Sequence, residues 1–103
     1  MKNFRTYNLA VQFYQSCQQL TLPRHLRDQL DRAASSIALN LAEGYGRSTR
    51  KEQKRFFDIA FGSMRESQAV LDLAAINTPD LLALSDSLAA NIFCLLRAMK
   101  REL

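Results

Sequence analysis

The stretch LNLAEGYGRSTRKEQKRFF, Leu39 to Phe57, decides the fold. It reads as a helix that ends, a glycine turn, and a second helix that starts amid positive charge. Gly44 stands where a helix C-cap favours a residue free to take positive φ. Thr49 is followed three residues later by Glu52, a capping-box pattern that predicts a helix start at Ser48 or Thr49. A phosphate-binding loop is the competing reading of GYGRST. It matches neither G-x-x-x-x-G-K-[ST] nor G-x-G-x-x-G, and no strand pattern precedes it. The glycines therefore read as turn chemistry, with Glu43 and Arg47 holding the turn by polar contacts.

Working outward, helical periodicity continues on both sides. Upstream, Leu26, Leu30, Ala33, Ile37 and Leu41 form one stripe from about Arg24 to Glu43. Downstream, Phe56, Ala60, Met64, Ser67, Leu71 and Ala74 line one face of a helix running to about Ile76. An earlier segment, Phe4 to Gln19, carries Ala10, Phe13, Tyr14 and Cys17 at helical spacing and stops before Pro23. A last segment is announced by Thr78 as N-cap, Pro79 at the first helical position and Asp80 beside the positive helix end. Leu81, Leu84, Leu88, Ile92, Leu95 and Met99 make its stripe. No β-branched run alternates with period two. The prediction is an all-α, antiparallel up-down four-helix bundle occupying residues 1–103 as a single domain.

The chain has 103 residues, 48% of them hydrophobic, which suits one small globular domain. No uninterrupted apolar run reaches the ~20 residues of a membrane span, and no signal-peptide pattern opens the chain. The expectation is a cytoplasmic protein without a membrane partner. Cys17 and Cys94 lack a C-x-x-C spacing, and His25 is the only histidine. No metal site and no cofactor is expected, and both thiols read as reduced, packed side chains. His25 in PRHLR has no partners that would make a hydrolase triad, and Glu43 and Glu66 lack the Glu-x-x-His element of a bundle di-metal site. Each glutamate is expected to pair with an arginine or cap a helix end. The reading is non-enzymatic.

The net charge of +4 is unevenly placed. Arg47, Arg50, Lys51, Lys54 and Arg55 face only Glu52 within this short segment, while the remaining charges balance. These five are the candidate nucleic-acid contacts, with Arg24, Arg27 and Arg32 as an extension of the patch. Free N–H groups at the helix start also favour phosphate, and Tyr45 in the turn is placed to stack on an unpaired base. The second helix carries Leu39 opposite its core stripe, flanked by Ser35 and Ala42. The third carries Gly62, Ala69, Leu73 and Ile76 away from its core face. A helix apolar nearly all round is buried on more than one side. Leu39, Gly62, Ala69 and Leu73 are therefore the candidate oligomer interface. Gly62, mid-helix, predicts close packing within or between subunits.

The run from Gln29 to Ala74 resembles the four-helix bundle protein family first noticed as reading frames inside 23S ribosomal RNA intervening sequences. That family also includes the accessory variability determinant proteins of diversity-generating retroelements. The resemblance rests on Ser36-Ile37, Asn40, Ala42-Glu43-Gly44, Gly46-Arg47, Phe56, Ala60, Gly62-Ser63 and Glu66. It implies a ring-shaped homo-oligomer, typically a pentamer, with no catalytic residue set. It also implies a basic surface for RNA or DNA and, in the retroelement branch, a reverse transcriptase partner. The alternative is a structural or protein-interaction module of the intervening-sequence branch that does not touch nucleic acid.

Overall fold

A computed structural model describes residues 4–102. Its helices are α1 (Arg5–Gln18), α2 (Arg24–Tyr45), α3 (Arg50–Leu73) and α4 (Pro79–Glu102), and no strand occurs among the described residues. They run alternately up and down in a bundle 41 × 23 × 20 Å. Each helix packs on two neighbours, and α2 against α3 is the most extensive pairing. The four-helix bundle read from the sequence is the fold.

One core joins all four helices. Phe13, Leu30, Ile37, Leu41, Phe57, Met64, Leu71, Leu88 and Ile92 are fully buried. On α3 the deepest aromatic is Phe57, not Phe56, which is only partly covered. One residue is 100° of helix rotation, so adjacent phenylalanines left the centre of the stripe ambiguous.

Helix ends follow local chemistry. The Thr49 hydroxyl accepts from the Glu52 N–H at 3.2 Å, the cap its pattern predicts. The α3 terminus departs from expectation, ending at Leu73 rather than Ile76. Ile76 N–H bonds Leu71 C=O and Ala75 N–H bonds Asp72 C=O, both at 3.0 Å, and Ala75 has φ +55°. This is a Schellman ending with alanine at the left-handed position usually held by glycine. The α1 terminus is closed by Arg27 from α2. Its guanidinium donates to Cys17 C=O at 3.1 Å and to Leu20 C=O, while Asp31 holds it at 2.9 Å.

The stretch Pro79–Lys100 is long and apolar enough by length and composition to cross a membrane, with mean hydropathy 1.5. No unbroken apolar run marks it, because serines and Asp86 interrupt the leucines. Its inner stripe of Leu81, Leu88, Ile92 and Met99 belongs to the core.

Candidate nucleic-acid interface

The α2–α3 turn presents its cations in two conditions. Arg47 is engaged. It reaches Glu43 at 2.7 Å and Glu52 at 3.7 Å, and its guanidinium lies 4.8 Å from the Phe56 ring centroid. It ties the end of α2 to the start of α3, as the turn reading expected. Lys54 pairs with Asp58 at 2.7 Å, and Arg50 donates to Gln53 at 3.0 Å and approaches the Met99 sulfur at 3.7 Å. Lys51 and Arg55 have no carboxylate partner among the described residues. Arg55 rests over Phe56 at 5.4 Å. Lys51, Lys54 and Arg55 share one exposed shallow surface of α3 with Thr49, Glu52, Asp58 and Ile59. An exposed pair such as Lys54–Asp58 contributes at most about 1 kcal/mol, so an incoming phosphate can compete for that lysine.

Topology enlarges this pole beyond what the sequence disclosed. Antiparallel helices bring the start of α1 and the end of α4 to the end of the bundle where α3 begins. Arg5, Arg97 and Lys100 therefore join the turn cations. Against them, among the described side chains, stand Glu43, Glu52 and Asp58. The opposite end carries Asp28, Asp31, Glu66, Asp72, Asp80 and Asp86 against Arg24, Arg27, Arg32 and Arg65. The bundle thus has a basic end and an acidic end. The charges outside Arg47–Arg55 balance as a sum, yet in space they are sorted.

The same geometry separates Arg24, Arg27 and Arg32 from the patch they were expected to extend. They lie in the first half of α2, whereas Arg47 follows its last turn. At 1.5 Å per residue, Arg24 and Arg47 are about 35 Å apart along the axis. Arg27 is in addition consumed as the α1 cap.

The glycine turn is built differently from the sequence reading. Gly44 lies inside α2, and no described glycine has positive φ. A Cβ at Gly44 would meet Phe57 Cε1 at 2.6 Å and Phe56 Cβ at 3.3 Å. Gly44 is there for close helix approach. Just above it, Tyr45 closes α2 with its ring edge-on to Phe57 at 5.2 Å, so this ring is not an open stacking platform. Its hydroxyl oxygen is buried without a hydrogen bond of good geometry, although Thr6 approaches it. Burial pushes the Tyr45 phenol pKa up, and Thr6 opposes that rise.

Further along the seam, Asn40 Nδ2 donates to Ser36 C=O and Oγ at 2.8 and 2.9 Å. Ser63 Oγ donates to Ser36 Oγ at 2.8 Å. Buried Ser67 bonds back to Ser63 C=O at 2.9 Å. Glu66 accepts from Gln29 rather than from an arginine. Most of the spaced Ser, Asn, Gly, Glu and Arg residues thus join α2 to α3. A model of the 23S rRNA-intervening sequence protein family matches residues 2–79. The chain belongs to this family. Comparison with curated proteins and with solved structures yields no match.

In this family member, the residues expected at an oligomer interface are open. Leu39 and Leu73 are 68% and 75% exposed, and Ala69 is exposed beside them. Gly62 is exposed, and a Cβ built on it meets nothing within 4 Å. It packs against no helix of its own chain, which removes the within-subunit half of the expectation. Sequence reasoning missed Ile59 and Phe93, 41% and 50% exposed. Phe93 sits at helical spacing from Ala83, Ala90 and Arg97 on the outer side of α4, a second stripe hidden by the stronger leucine periodicity. The cysteines differ from each other. Cys17 is buried, and burial pushes its thiol up to about 12, so it is unreactive, while Cys94 is exposed rather than packed.

Proposed function

We propose that the chain is a non-enzymatic, self-assembling bundle whose basic end engages nucleic acid, RNA foremost. The observation that carries this is the gathering of Lys51, Lys54, Arg55, Arg5, Arg97 and Lys100 at one end, with Lys51 and Arg55 lacking a carboxylate partner among the described residues. Phosphate binding grows with the number of cations engaged, so assembly of several copies multiplies the field of one pole. Exposed Leu39, Leu73, Ile59 and Phe93 supply apolar surface for that assembly. A homopentameric ring is the favoured form, working in the cytoplasm without cofactor. A reverse transcriptase is the candidate protein partner in a retroelement setting.

A second reading is a scaffold that binds proteins only. The internal use of Arg47 and Lys54 favours it, because those cations already have carboxylates. One experiment separates the two. Binding to a labelled structured RNA and to a matched DNA duplex is titrated against salt, with the mass of the oligomer measured in the same buffer. The proposal expects an oligomer whose log affinity falls linearly with log salt. Neutralising Lys51, Lys54 and Arg55 is expected to lessen the slope by roughly 0.7–0.9 for each phosphate that these side chains had neutralised. An oligomer that ignores both ligands at low salt establishes the scaffold reading instead.

A further inference from the structure

Gly46 has no structural reason to be glycine. It caps α2 at φ −85° and ψ −8°, a right-handed conformation open to any residue. A Cβ there would meet only Glu43 C=O at 3.6 Å and Ala42 C=O at 3.7 Å, ordinary contacts. Gly44 is explained by Phe57, and among the described residues nothing explains Gly46.

Gly46 does line a pocket. Gly46, Ala42, Tyr45, Phe4 and Tyr7 surround a cavity of about 370 Å³ between the end of α2 and the start of α1. This volume lies within the ~300–1,000 Å³ of small-ligand sites. Its wall is aromatic. The Phe4 and Tyr7 rings stand edge-to-face, 6.3 Å apart at 68°, so a flat group stacked on one meets the edge of the other. Phe4 remains 41% exposed. The pocket opens at the basic end. Arg5 follows Phe4 and Arg47 follows Gly46, and α1 begins without a side-chain cap and without an acid in its first turn. The positive end of that helix faces the same corner.

We infer that this pocket receives an unpaired nucleobase of a single-stranded segment, with its phosphates held by Arg5 and the neighbouring basic end. The inference rests on the nucleic-acid reading above and adds to it a preference: unpaired strands over perfect duplexes, because only a base freed from its stack can enter.

The test compares a short oligoadenylate with an abasic phosphodiester strand of equal length and charge, both at low salt. The chain has three tyrosines and no tryptophan, so tyrosine fluorescence reports entry directly. The oligoadenylate is expected to bind about tenfold tighter than the abasic strand, the scale of one stacked base, and to quench the tyrosine signal. Gly46→Leu adds bulk at a lining position of the pocket, where the backbone is permissive. It is expected to leave the melting temperature and the salt slope in place while erasing the tenfold difference, and Phe4→Ala is expected to reduce it. Equal binding of both strands by the unaltered protein, or a difference that survives Gly46→Leu, overturns the base pocket while leaving phosphate binding intact. Failure of both strands to bind removes the nucleic-acid reading and the pocket with it.

Discussion

Across the seam between α2 and α3, Ser36, Asn40 and Ser63 share hydrogen bonds, Gly44 admits Phe57, and Arg47 clamps both helix ends. The fourth helix is attached by other means. It contributes an inner apolar stripe, a Gln68–Ser85 bond at 3.3 Å and the Arg50 contact to the Met99 sulfur at 3.7 Å, and it leaves Phe93 and Cys94 in the open. The family match ends at residue 79, where α4 begins. The difference teaches that the signature residues mostly describe how two helices are joined. A polar, glycine-fitted seam has one register. An apolar stripe fixes a face and leaves the detail to packing.

The hardest way to break the seam is Phe57→Ala, which empties a fully buried ring position and is expected to cost roughly 3–5 kcal/mol by denaturant unfolding. Next comes Gly44→Ala. The added methyl would collide with Phe57, and overpacking on the order of 1–3 kcal/mol outweighs the gain in helix propensity, so the melting temperature falls. The same substitution at Gly62 is expected to act with the opposite sign. With nothing within 4 Å, Gly62→Ala stabilises the isolated chain by about 1 kcal/mol. If α3 meets another copy there, it also weakens self-association, which sedimentation measures separately. A stability loss at Gly62 or a gain at Gly44 reverses the assignment of the two glycines.

These substitutions also mark how far the sequence could be read. Thr49 with Glu52, and Thr78 with Pro79, announce their helices because a cap is a local matter of one side chain and one turn. Gly44 was misread for a physical reason. Glycine serves positive φ and close approach equally well, and only the position of Phe57 tells which. The end of α3 was legible least, because its left-handed residue is Ala75 and alanine gives no turn signal. Ala75→Gly is accordingly expected to raise stability by roughly 0.5–1 kcal/mol, since relief of the left-handed strain exceeds the added chain entropy.

The smallest effect should lie on α4. Phe93→Ala removes a half-exposed ring whose neighbours are Phe61 at 6.4 Å and Arg97 at 5.9 Å. A change within about 0.5 kcal/mol in the monomer is expected, far below the Phe57 effect. A much larger loss would mean that α4 is joined as firmly as the hairpin. The basic end was likewise only half legible. Arg47 to Arg55 are neighbours along the chain, but Arg5, Arg97 and Lys100 reach them only through the reversals of direction between helices, which no local pattern announces.

That sorting of charge gives the molecule a heading. A body with positive charge at one end of its 41 Å axis and negative charge at the other turns like a compass needle in the field of any polyanion, before contact is made. Collisions are then selected by orientation: the end bearing Lys51 and Arg55 arrives first, and the end bearing Asp72 and Asp80 trails. Copies drawn to one strand would be aligned in parallel by the strand itself, so their flanks would meet already in a common direction.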